Sequence, residues 1–137
     1  MDEFCAAPAD HRRDVARGLL AISLDRSELP TERGFALLHL TTMAGACGVV
    51  EDEELAGQLE EIADYPVLAN PVQQRQCSAA MEASCDNGRM IQYRALMALA
   101  VVSRSRGLRK LNQLLELYAD SEFGRELRDL RDYYSRR

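Results

Sequence analysis

Arg89-Met-Ile-Gln-Tyr-Arg-Ala-Leu-Met-Ala-Leu-Ala-Val-Val-Ser-Arg104 decides the fold class of this chain. Residues 95–102 are unbroken apolar, and Ile91, Ala95, Leu96, Met97, Leu99, Val101 and Val102 cover nearly every side of a 3.6-residue helix. A helix that apolar belongs inside a domain, wrapped by other elements. A second segment of the same kind, residues 32–46, carries Phe35, Ala36, Leu37, Leu38, Leu40 and Met43. Two central rods are therefore expected, and the rest of the chain should supply their cover.

The remaining segments read as amphipathic helices, and strand signals are nearly absent. Residues 9–24 place Val15, Leu19 and Ile22 on one face. Gly48 is placed to cap the second helix. Residues 51–64 then bury Leu55, Leu59 and Ile62 before Tyr65-Pro66 ends that run. Asn70-Pro71 reads as a cap and first helical residue. It opens a fourth helix that carries Cys77, Ala80, Met81, Ser84 and Cys85 and stops at Asn87-Gly88. Beyond Gly107 come Leu108, Leu111, Leu115 and Tyr118. After a break at Ala119-Asp120-Ser121 come Phe123, Leu127, Leu130 and Tyr134.

An internal repeat accompanies this pattern. Ala36-Leu37-Leu38-x-Leu40 aligns with Ala95-Leu96-Met97-x-Leu99, and Gly48 with Gly107; after a short deletion Leu55, Leu59, Ala63 and Asp64 match Leu111, Leu115, Ala119 and Asp120. The expected fold is all-α: a compact bundle of about seven helices, built from two similar helical hairpins around two central apolar helices. It forms a single domain over residues 1–137, with 1–8 as a flexible tail.

The 137 residues suffice for one cored domain, and 47% of them are apolar. The longest apolar run is far below the roughly 20 residues of a membrane span, so no span is expected. The acidic opening Met1-Asp2-Glu3-Phe4 is unlike a secretory signal. A cytoplasmic setting with reduced thiols follows as the expectation. The four cysteines show no C-x-x-C spacing and there are two histidines, so neither a structural zinc nor another cofactor is expected. The net charge of −5 argues against nucleic acid as the main partner. Its distribution is uneven: residues 34–74 hold seven acids and no Lys or Arg, whereas residues 104–137 hold nine basic residues against six acids.

Candidate chemistry is sparse. His39 and Cys47 sit on the same helix, but no orienting carboxylate or oxyanion hole is recognisable beside them, and no nucleotide or metalloprotease motif occurs. No catalytic residue is assigned; a small helical enzyme using His39 and Cys47 is the least favoured alternative. Glu51, Asp52, Glu53 and Glu54, with Glu60, Glu61 and Asp64 on the same helix, are readable as a solvated helix start whose acids suit the helix dipole. They are also readable as a weak divalent-cation site or as a docking surface for a basic partner. Tyr133 and Tyr134, among the C-terminal arginines, form a second candidate contact, because aromatic and Arg side chains concentrate at interface hot spots. The function expected is thus a non-enzymatic interaction module with a protein partner, with the C-terminal helix as candidate homodimer contact.

Ala36-Leu-Leu-His-Leu-Thr-Thr-Met-Ala-Gly-Ala-Cys-Gly48-Val-Val-Glu-Asp-Glu-Glu-Leu55 resembles the helix-turn-helix of the TerB-like tellurite-resistance family. That family's signature is an apolar helix, then A-D-G, a branched apolar residue, and Glu-Glu-Leu opening the next helix. Ala46, Gly48, Val50, Glu53, Glu54 and Leu55 fall at matching places. Cys47 stands where the family has the Asp associated with metal contact, which puts a metal role in doubt. The copy around Gly107 has Arg106, Arg109 and Lys110 where acids would be expected. The resemblance covers about twenty residues closely and implies a duplicated seven-helix domain with a role in bacterial envelope or metal stress. A fainter likeness lies in residues 95–128, with Gly107-Leu108, Leu111, Leu115, Ser121 and Phe123. It is similar to the last helical hairpin of TPR-like chaperones for type III secretion needle subunits, although the interval from Gly88 to Gly107 is shorter than theirs. It implies a chaperone or adaptor that holds a partner helix in a groove.

Overall fold

A computed structural model of the chain describes residues 5–25, 27–47, 53–64 and 82–136, with the backbone alone at 30 and 82–87. Among these residues the main elements are six helices: α1 (Ala9–Leu24), α2 (Pro30–Cys47), α3 (Glu53–Asp64), α4 (Glu82–Val102), α5 (Arg104–Tyr118) and α6 (Glu122–Ser135). The apolar segment that opened the sequence reading is the carboxyl-terminal part of α4, and it is the axis of the fold. Helices α2, α3 and α5 lie along it, α6 packs on α5 and touches α4, and α1 covers α2 and reaches α3. Ile91, Ala95, Leu96, Ala98 and Leu99 are buried in one continuous core with Leu37 and Leu40 of α2, Leu55, Leu59 and Ile62 of α3, and Leu111, Leu127 and Leu130 beyond.

The described helices differ from the expected set in ways that packing explains. Asn87-Gly88 does not end a helix: α4 runs straight through it. Gly88 is buried, so tertiary contacts there outweigh the roughly 1 kcal/mol that Gly costs a helix. The expected fourth helix from Asn70-Pro71, with Cys77, Ala80 and Met81, lies outside the described residues, as does Gly48. Gly107 is not a turn either. The break between α4 and α5 falls at Ser103, which is extended at φ −146° and ψ 96°. Gly107 sits inside α5, where a Cβ would lie 2.5 Å from Ala100 Cα. Its missing side chain lets α5 fold back tightly on α4. A register difference also appears in α1, which buries Ala16, Leu20 and Ser23. The expected stripe of Val15, Leu19 and Ile22 lies beside that face, with Ile22 exposed.

The paired-hairpin picture changes accordingly. Helices α4 and α5 do pack on each other, but α2 and α3 pack mainly on α4 and α1, not on one another. Only one of the two apolar helices is central. Helix α2 buries Ala36, Leu37, Leu40, Met43 and Ala44, yet Phe35 is 50% and Leu38 37% exposed. The apolar residues of α2 exceed the face that α1 and α4 cover.

Helix carboxyl ends are closed by side chains from elsewhere in the chain. Among the described helices, none except α4, which passes almost directly into α5, ends without such a donor, and none has a basic residue in its own last turn. Arg33 Nε donates to Ser23 O of α1 at 2.8 Å, Arg12 Nη1 to Cys47 O of α2 at 2.9 Å, and Gln92 Nε2 to Ala63 O of α3 at 2.7 Å. Arg128 Nη2 donates to Ala119 O after α5 at 2.6 Å, and Arg104 Nη2 to Ser135 O of α6 at 2.9 Å. Unpaired terminal carbonyls and the negative end of the helix dipole are both answered this way. At the other end of α6, the Ser121 hydroxyl accepts from Gly124 N at 3.0 Å and donates to Tyr118 O at 2.7 Å. Gly107→Ala is expected to cost about 1–3 kcal/mol by overpacking. Gly18→Ala on α1, where a Cβ meets nothing within 4 Å, should add about 0.5–1 kcal/mol. Urea midpoints of the two variants, read against the parent, check the pair.

Candidate partner-binding groove

The acidic and basic halves of the sequence meet inside the molecule. Helices α3 and α5 both pack on α4 and touch each other beside it, and Arg106 of α5 reaches Glu53 at 2.9 Å and Glu60 at 2.8 Å. Arg109 approaches Glu60 at 4.0 Å, Lys110 holds Asp64 at 3.0 Å, and Arg17 of α1 lies 3.8 Å from Glu54. Glu53, Glu54, Glu60 and Asp64 are therefore engaged within the chain, and Glu61 faces solvent. Glu51 and Asp52 lie outside the described residues. The Arg106 hydrogen bond holds the Glu60 carboxyl below its usual range, against an opposing push from burial. No cluster of three or more His, Cys, Asp or Glu able to hold a metal ion forms among the described residues.

A different surface is concave. Because α2 and α6 both pack beside α4 without packing on each other, a strip of α4 lies open between them. Tyr93, Met97 and Val101, one turn apart, form the floor of a groove of about 510 Å³. Thr41 and Gly45 of α2 form one wall and Leu130, Tyr133 and Tyr134 of α6 the other. The tyrosine rings meet edge to face, with centroids 5.0 Å apart. Tyr133 is 48% exposed at the rim, and Tyr134 packs against the core. Gly45 contributes no side chain to its wall, and a Cβ there would meet nothing within 4 Å.

At Tyr93 and Asp129 the groove continues into a more polar hollow of about 680 Å³. Arg89, Met90 and Arg94 of α4 and Glu122, Glu126 and Asp129 of α6 line it. Arg94 lies 5.8 Å over the exposed Phe35 ring of α2, a cation–π contact across the trough. Burial raises the Tyr93 phenol, and the nearby charges of Glu126 and Asp129 raise it further. Deeper in the core, burial pushes Tyr118 up to about 12, offset in part by the neighbouring Gln92 side chain.

Of the residues singled out in the sequence, Tyr133 and Tyr134 come together on this trough, whereas the α3 acids lie elsewhere. His39 is exposed on α2 outside the trough. Cys47, whose thiol donates to Met43 O at 3.4 Å, follows two turns later, about 12 Å along the helix. The floor residues Tyr93, Met97 and Val101 escaped the sequence reading because an apolar helix gives no sign of which strip its neighbours leave open. The acids of α6 did carry a signal: Glu122, Glu126, Asp129 and Tyr133 recur at helical spacing on one face. No protein-family model, curated protein or solved structure matches the chain.

Because the folded-state Glu60 carboxyl lies below its unfolded value, its contribution to stability is complete above the unfolded value and is lost as pH falls through the lowered one. Glu60→Gln should lower the urea midpoint at neutral pH and flatten its decline between about pH 5 and pH 3. A variant that keeps the parent's pH slope would remove this ion pair from the account.

Proposed function

We propose that the protein is a non-enzymatic interaction module that holds a helix of a protein partner in the trough formed by α2, α4 and α6. The observation that carries this reading is the open strip of α4, where Tyr93, Met97 and Val101 form a half-buried groove floor. Met97 supplies an adaptable surface there, and Tyr133 and Tyr134 supply aromatic anchors of the kind concentrated at hot spots. Phe35 and Leu38 extend an exposed apolar rim along α2, so that the patch is more than scattered apolar exposure. The small wall at Thr41 and Gly45 leaves room for a partner backbone to come close. Amphipathic helices dock in such grooves through anchors one and two turns apart. A homodimer contact through the C-terminal helix would use the same tyrosine wall, so a second copy and a partner helix would compete. The bacterial stress role implied by the TerB-like resemblance rests on residues 36–55 and is compatible with a module of this kind.

Gly45→Leu tests the reading without disturbing the fold. The new side chain enters the groove, and the helix gains about 0.8–1 kcal/mol in propensity. Partner protein recovered from the native host by the wild-type chain should be lost with Gly45→Leu at an unchanged or higher melting temperature. It should be kept with Leu117→Ser, which alters an exposed apolar residue of α5 outside the trough. Recovery that is insensitive to Gly45→Leu, or lost equally in both variants, overturns the groove.

A further inference from the structure

We propose that the helix accepted by this trough is basic along the flank that meets α6, a requirement set by Glu122, Glu126 and Asp129 on the α6 wall. The inference rests on the groove reading above and adds the chemistry of the occupant.

Charge on α6 is sorted by face. Glu122, Glu126, Asp129 and Tyr133 follow one another at intervals of four, three and four residues, which places them in one line along the helix. All four line the trough or its continuation. The arginines of the same helix are directed elsewhere. Arg128 caps α5 through Ala119 O at 2.6 Å, Arg131 lies 3.4 Å from Asp132, and Arg125 is exposed and absent from the lining. Among the described residues Glu122, Glu126 and Asp129 form no ion pair. This sets them apart from the acids of α3, where Glu53, Glu54, Glu60 and Asp64 each have a cation within the chain. On the floor, Arg94 is drawn to the α2 side by Phe35. Arg89 of α4 shares the hollow with these acids, and Arg136 lines a neighbouring hollow with Asp129, Asp132 and Tyr133. The charged side chains that α6 itself presents to the trough are nevertheless carboxylates, and the raised Tyr93 phenol lies in the field of two of them.

A helix lying in the trough meets this wall along one flank, with Tyr93, Met97 and Val101 beneath it in the groove and Arg89, Met90 and Arg94 beneath it in the polar continuation. Over residues 122–133 the wall runs for about 16 Å, or three turns. Lys or Arg at helical spacing on that flank would stand opposite successive carboxylates. An acidic flank would place like charges beside these exposed carboxylates, a repulsion that salt screens. The carboxylates thus select among amphipathic helices, while the apolar floor provides most of the contact.

Two synthetic helical peptides of about 16 residues, with the same Leu/Ala apolar stripe, provide the probe: one carries Lys along a flank and the other Glu at the same positions. Fluorescence anisotropy at low salt should show the Lys peptide binding on the order of tenfold more tightly, with the difference much reduced at about 0.5 M salt. The E122Q/E126Q/D129N variant, whose three sites are all exposed, should bind the Lys peptide no better than the Glu peptide. Gly45→Leu should bind neither. Equal binding of both peptides to the wild type, abolished by Gly45→Leu, leaves the groove standing and overturns the charge requirement. A Lys preference that survives in the triple carboxamide variant also overturns it, by locating the preference outside α6. If neither peptide binds the wild type, the groove reading fails and the inference falls with it.

Discussion

Enclosing α4 is the constraint on which the rest of this molecule depends. Its run of apolar residues from Ala95 to Val102 must be removed from water, at roughly 25 cal/mol for each Å² of apolar area covered. Helices α2, α3 and α5 do most of the covering. The close approach of α4 and α5 requires Gly107 against Ala100 because no Cβ fits. Where that covering is incomplete, between α2 and α6, the same apolar surface becomes a groove floor. One property of one helix thus produces both the core and the candidate site.

Packing helices around α4 brings carboxyl ends close to other helices, and their carbonyls must be satisfied. The chain meets this need at long range, with Arg12, Arg33, Gln92, Arg104 and Arg128 each donating to the last residues of another element or of a preceding helix. Such donors tie ends to neighbours and so help to fix where each helix stops. Two of these donors are buried: Arg33, and Gln92, which is fully enclosed and spans from α4 to the end of α3. Its amide oxygen and the Tyr118 hydroxyl are enclosed without another partner among the described residues, leaving each available to the other.

Charge has been used in two distinct ways. On α3 and α5, acidic and basic residues face each other and are consumed as intramolecular ion pairs. On α6, acids and arginines of a single helix are separated by face, so that the trough receives carboxylates while the arginines serve elsewhere. The first arrangement joins elements of the fold, and the second leaves three carboxylates on one wall of the trough.

Much of the architecture was legible in the residues. The helical class, the extent of α1, the end of α3 at Asp64, the break at Ala119-Asp120-Ser121 and the buried stripes of α3, α5 and α6 follow from apolar periodicity and turn chemistry, which act over a few residues. The neighbouring aromatics of α6 were also identifiable, Tyr133 at the surface and Tyr134 against the core. What periodicity does not contain is which neighbour each face meets. Gly107 and Asn87-Gly88 read as stops, yet both are helical because contacts with distant residues outweigh a local cost of about 1 kcal/mol. The partial exposure of α2, the pairing of Arg106 with Glu53 and Glu60, the distant caps and the open strip at Tyr93, Met97 and Val101 are likewise decided by how helices pack. Local sequence determined the helices and their apolar faces, because those depend on nearest neighbours along the chain. Only tertiary structure decided the groove, because a groove is the area that neighbours fail to cover.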